Sequence, residues 1–204
     1  MENRKDNRGR PRDLARSNPH PRVGVDMGFS AEEKELLREA AFQAIRCRCM
    51  GEAMPDIAVQ TPGLKEPRAA FVCIHKGKDL RGCIGIIEAR TSLLETVKTM
   101  AVEAAFGDPR FCALSSDELD KIDIEISVLT PMRPISDPSE IEIGRDGLFI
   151  RKGYRSGLLL PQVATDHCWD REQFLKWTCL KAGLPEDAWK TKDVEVYVFS
   201  ADVF

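Results

Sequence analysis

The sequence predicts an α+β protein built mostly on an antiparallel sheet with about three main helices. Two observations carry that reading. Segments with apolar residues at helical spacing are interspersed with short β-rich runs, and those runs are joined by tight turns rather than by helical crossovers.

The elements follow in order. Ser30 and Glu33 form a capping box, and Leu36, Leu37, Ala40, Ala41, Ala44 and Ile45 continue as one helical face to about Arg48. Three prolines and Gly63 make 54–67 an irregular connection. Ala69–His75 and Leu80–Ile87 are β-rich and flank Lys76-Gly77-Lys78-Asp79, which reads as a hairpin. Ser92 with Glu95 suggests a second capping box ahead of a helix through Ala105. Asp108-Pro109 opens a helix or a turn. Ile122–Leu129 alternates, with Asp123, Glu125 and Ser127 opposite the isoleucines. Pro131, Pro134 and Pro138 mark a loop, and short strands are expected at Glu140–Ile143, Leu148–Arg151 and Gly157–Leu160. Asp170 and Gln173 cap a third main helix that stops near Gly183, and Val194–Ser200 is a closing strand.

Charge divides the chain. The net is −3, from 30 Lys and Arg against 33 Asp and Glu. Residues 1–22 carry seven bases and three acids, a net of +4, which leaves −7 on the remainder. An acidic body lacks the clustered cations that phosphates require. Nucleic acid is therefore expected only at the basic tail, which could equally touch an anionic membrane. Residues 1–28 read as a disordered basic tail and 29–204 as the folded domain, since the tail has too few apolar residues to offset chain entropy. The tail has no apolar stretch of secretory type, and no segment approaches the ~18 apolar residues of a membrane span. The expected location is the cytoplasm.

The seven cysteines are Cys47, Cys49, Cys73, Cys83, Cys112, Cys168 and Cys179. Without a C-x-x-C pair they read as free thiols in a reducing compartment. Cys47 and Cys49 would project from different faces of a helix, a poor chelate. With only three histidines and no H-E-x-x-H, neither a metal nor a cofactor is expected. Phosphate-loop, nucleophile-elbow and dinucleotide motifs are absent from the sequence.

The most unusual run is Leu80-Arg81-Gly82-Cys83-Ile84-Gly85. On an extended strand Arg81 and Cys83 share a face. Gly82 and Gly85 have no Cβ, so another group can approach the backbone there or the strand can bulge. A free cysteine has a pKa of about 8.5. A guanidinium beside the thiol would lower it, and bringing it to about 7 takes roughly 2 kcal/mol. The alternative is a buried, inert cysteine in a glycine-rich bulge.

This hexapeptide, together with Asp108-Pro109-Arg110-Phe111, Ile124–Leu129, Asp146-Gly147-Leu148, 157–164, Trp169-Asp170 and 179–184, resembles the AMMECR domain family over about residues 29–204. The resemblance implies a larger and a smaller lobe around a cleft, with the hexapeptide near it. It implies no established activity, and it hints at dioxygenase-like and radical-SAM pathway partners. Cys168 stands where the family has glycine.

The candidate site follows from these residues. Cys83 would be a thiol nucleophile acting on a small anionic or carbonyl substrate. Glu125 or His167 would move the proton. Arg81, Gly82, Gly85, Asp108, Arg110 and Gln162 would bind substrate, with Glu125 also a possible partner of Arg81. The competing reading is a binding module for a small molecule or peptide in which Cys83 is structural.

Overall fold

The structure is a computed structural model that describes residues 23–54, 57 and 61–204. Helix α1 spans Ala31–Met50 and ends at Gly51 in the left-handed region, φ 68°. The capping box at its start is complete: Ser30 Oγ accepts from Glu33 N–H, and Glu33 accepts from Ser30 N–H at 2.8 Å. A short helix α2 (Pro62–Lys65) interrupts the connection expected to be irregular. Strands β1 (Ala70–Lys76) and β2 (Asp79–Ile86) form the hairpin, and α3 (Leu93–Phe106) follows. Only half of the second capping box forms. Ser92 accepts from Glu95 N–H, while the Glu95 carboxylate binds Lys98 instead.

Asp108-Pro109 starts a turn, not a helix. A 3-10 turn at Ser116–Lys121 then leads into β3 (Ile122–Leu129). The proline-rich segment expected as loop contains a short strand, β4 (Arg133–Ile135). The strand expected at Glu140–Ile143 is absent. Asp137 and Glu140 instead cap a 3-10 turn at Pro138–Glu140 by accepting the N–H groups of Ser139 and Asp137, which withdraws those residues from a ladder. Strands β5 (Asp146–Lys152) and β6 (Arg155–Leu159) are followed by α4 (Pro161–Asp166), α5 (Arg171–Lys181) and β7 (Glu195–Val203).

All pairings are antiparallel, in the order β2-β1-β3-β7-β5-β6, with β4 also on β7. The fold is thus α+β, as expected. The alternation in β1 and β3 decides what each face does. Val72, Ile74, Ile126 and Val128 bury completely against Leu37, Ala41, Val97 and Ala101 of α1 and α3, the larger core. A second core gathers Leu148, Ile150, Phe174, Leu175 and Val198 under α4 and α5, the smaller lobe. Phe71, Leu160, Phe199 and Ala201 join the two.

Residues 23–28, assigned from sequence to the tail, are part of the folded body. Gly24 N–H donates to Gly144 O, Val25 N–H to Ala201 O, and Met27 N–H to Asp202 Oδ2. These long-range bonds, with Met27 packed against the larger core, tie the stretch to β7 and to the turn before β5. The tail reading for 1–22 lies outside the described residues. No helix among the described residues is long and apolar enough to cross a membrane.

Cys168, with φ 53°, is the one non-glycine residue in the left-handed region among the described residues. That conformation costs an L-residue about 1 kcal/mol or more. We expect Cys168→Gly to change stability by less than about 0.5 kcal/mol, since relief of strain offsets glycine's entropy, and Cys168→Val to cost about 1–2 kcal/mol. Urea unfolding of the two variants measures this directly.

Candidate functional site

The site is built on the face of β1–β3 turned away from α1 and α3. Two registers define it: Cys83 lies opposite Cys73, and Cys73 opposite Glu125. These three side chains therefore form one row across three strands. The next row toward the hairpin holds His75 and Asp123. Gly85, Phe71 and Ser127 form the row on the other side.

The sulfurs of Cys73 and Cys83 are bonded to each other. The expectation that all seven cysteines are free thiols is thus corrected for this pair. The physical reason is register. The N–H and C=O of Cys83 point away from β1, toward Asp108 and Arg110. The pair is then of the non-hydrogen-bonded type, in which side chains approach most closely, and the Cα atoms are 4.1 Å apart. Cys47, Cys49, Cys112, Cys168 and Cys179 remain unbonded, Cys47 and Cys179 being buried.

β2 is an edge strand, and the loop after α3 covers its rim at Cys83. Asp108 Oδ2 accepts the Cys83 N–H at 2.9 Å, and Arg110 Nη2 donates to the Cys83 carbonyl at 3.2 Å. Asp108 and Arg110 bind each other through two further bonds, of 2.9 and 2.6 Å. The Arg110 guanidinium, aided by the N–H groups of Cys83 and Arg110, holds the buried Asp108 carboxyl well below the usual carboxylate range. This pair holds the Cys83 backbone, whereas sequence reasoning gave it to a substrate.

Arg81 takes Glu118, not Glu125, as its partner. Its Nε and Nη2 form a bidentate fork on the Glu118 carboxylate, each bond 3.0 Å, with both side chains largely buried. Lys76 and the Ser115 N–H bind the same carboxylate, so Glu118 too is held well below its usual range, chiefly by Arg81. The positive charge expected beside the thiol is therefore matched by a carboxylate. Arg81 Nη1 stays buried and, among the described residues, without a hydrogen-bond partner.

Gly82 and Gly85 were expected to open the backbone to a ligand, yet the chain itself fills both places. A Cβ on Gly82 would overlap the Ala104 carbonyl of α3, and one on Gly85 would overlap the Phe71 ring. Gln162, on the first turn of α4, reaches across from the smaller lobe. Its Nε2 donates to Glu125 at 3.0 Å and to Ser127 Oγ at 3.2 Å, leaving its Oε1 buried and, among the described residues, unpaired. His75 Nε2 is likewise buried and unpaired among the described residues.

His167 is not joined to this group. It is exposed at the end of α4 and stacks on Trp169, ring centroids 4.6 Å apart; Trp169 stacks in turn on Trp177 at 5.4 Å. Among the described residues, no hydrogen bond links His167 to Cys83 or Glu125. Cys73, His75 and Glu118 are the site residues that sequence reasoning did not single out. Two surface hollows, of about 480 Å³ along Glu32, Glu35 and Glu39 and about 230 Å³ beside Arg133, Arg145 and Phe199, lie elsewhere and are not lined by Cys83. No group of three or more His, Cys, Asp or Glu side chains among the described residues is gathered as a metal would require.

The fold and site define a two-lobed α+β protein with a cysteine pair on a sheet face that also carries His75, Asp123, Glu125 and Phe71. The chain belongs to the AMMECR1 family, whose match covers residues 38–204. Protein MK0488 of Methanopyrus kandleri is 48% identical over 185 residues, 86% of this chain and 89% of its own length. A protein of Methanothermobacter thermautotrophicus is 41% identical over 183 residues, 86% of this chain and 95% of its own. The crystal structure of the uncharacterized protein PH0010 from Pyrococcus horikoshii matches with a TM-score of 0.78 at 38% identity, covering 83% of this chain and 88% of that one.

Proposed function

We propose that the Cys83 row is the working site, and that Cys83, once reduced, is a thiol nucleophile toward a small anionic or carbonyl substrate. One observation supports this above the others. Two polar atoms, His75 Nε2 and Gln162 Oε1, are buried without partners among the described residues, on the strand of Cys73 and against Glu125 respectively. A buried polar atom without a partner costs about 1–3 kcal/mol. A small polar substrate would satisfy such atoms: the imidazole nitrogen, when protonated, suits an anionic or carbonyl oxygen, and the amide oxygen suits a hydroxyl or amine. Gln162 orients Glu125, whose carboxylate is the proton acceptor in the row.

The second reading, a binding module with a structural Cys83, draws on the bond to Cys73 and on the pinned Cys83 backbone. Alkylation separates the two. After reduction, iodoacetamide is expected to label the partly exposed Cys83 in the folded protein ahead of the buried Cys73. Peptide mapping over a pH series reads this. A reduced, folded protein in which Cys83 resists labelling up to pH 9 sinks the nucleophile and leaves the module.

A further inference from the structure

We infer that Cys73 and Cys83 are a redox couple that exchanges with small thiols and their disulfides. Cys83 is the sulfur that meets the outside molecule, and Cys73 is the one that resolves it. This rests on the reading of Cys83 as the reacting sulfur and adds a partner class and a control to that site.

The two cysteines differ in a way that assigns these roles. Cys83 lies on an edge strand and is partly exposed. Cys73 lies on β1, between β2 and β3, and is 7% exposed. An incoming sulfur therefore reaches Cys83 first. Glu125, the next residue in the row, stands beside Cys73 and not beside Cys83. A carboxylate there is placed to take the proton that a resolving thiol must lose.

The steps balance. The Cys83 thiolate attacks a small-molecule disulfide RSSR. A Cys83–SR bond forms, the S–S bond of RSSR breaks, and RS⁻ leaves. Cys73 gives its proton to Glu125 and attacks Cys83 Sγ. The Cys73–Cys83 bond forms and a second RS⁻ leaves. The two RS⁻ then take up the two protons lost by the cysteines. The protein loses two electrons and the disulfide gains them. The reverse sequence, with two RSH as reductant, reopens the pair. The nucleophile is thus present only in the reduced protein, and its availability follows the surrounding thiol pool.

The test uses the full chain and glutathione disulfide as probe, read by intact mass and peptide mapping. Reduced wild-type protein is expected to form the Cys73–Cys83 bond with no lasting glutathione adduct on either residue. In Cys73→Ser, glutathione is expected to stay trapped on Cys83, while in Cys83→Ser Cys73 forms no adduct on the same timescale. A stable Cys83 adduct in wild type, or equal trapping on Cys73 in Cys83→Ser, overturns the proposal; the wild-type arm needs no variant to fold. Iodoacetamide labelling of Cys83 in reduced wild type separates this failure from that of the parent reading. A labelled Cys83 that never bonds to Cys73 removes the couple and keeps the nucleophile. An unlabelled Cys83 removes both.

Discussion

Replacing Gly82 by valine is expected to destabilise the protein by at least about 3 kcal/mol, the upper end for an over-packed core. The side chain would meet the Ala104 carbonyl, which belongs to a helix backbone and cannot rotate aside. α3 rests on β2 at this point, so the helix must lift away from the sheet and unpack its own Ala104, Ala101 and Val97, which are fully or almost fully buried. Gly85→Ala is the contrast. The three nearest atoms it meets belong to the ring of Phe71, a side chain and not a backbone, so it should cost less. Thermal or urea unfolding of both variants checks the order. Equal stabilities would mean that α3 does not sit on β2 as described.

Asp108→Ala is expected to cost about 2–4 kcal/mol, because it leaves the Cys83 N–H without its acceptor and Arg110 without its counter-charge. The same carboxylate sets an acid limb. Its folded pKa is depressed, first by Arg110, as that of Glu118 is by Arg81. A depressed carboxylate contributes stability that is fully present above the unfolded value, about 3.9 for Asp, and is lost as pH falls from there toward the folded value. Wild-type unfolding free energy should therefore be level with respect to these groups above about pH 5 and fall in acid. Asp108→Asn should start lower and fall less steeply. Superimposable acid slopes for the two proteins would contradict the assignment.

Much of the fold could be read locally. Ser30 with Glu33 and Asp170 with Gln173 mark helix starts by side-chain bonds within three residues, so α1 and α5 follow from adjacent sequence. The alternation of Ile122–Leu129 likewise separates Glu125 and Ser127 from the apolar core face. β4 was hidden because Pro134 reads as loop, although a strand pairing on one side only tolerates a missing N–H.

The site itself depended on a single irregularity. The turn pairs Lys76 with Asp79 and His75 with Leu80, and continuing that count would set Cys73 opposite Gly82. A one-residue bulge between Ile74 and His75 shifts the register and brings Cys83 there instead. The glycines of 80–85 allow a bulge, but nothing local says where it falls or which cysteine it pairs with Cys83. The partnership of Arg81 with Glu118 was equally hidden, since 37 residues separate them and the fold alone brings them together.

The aromatic column also makes the protein useful to watch. Trp169, Trp177 and Trp189 all belong to the smaller lobe, and the chain has only these three tryptophans. Its intrinsic fluorescence therefore reports one half of the molecule, while the state of the two sulfurs is a chemical signal from the other half. Following both through the same denaturant series would show whether the halves come apart as one body or in turn.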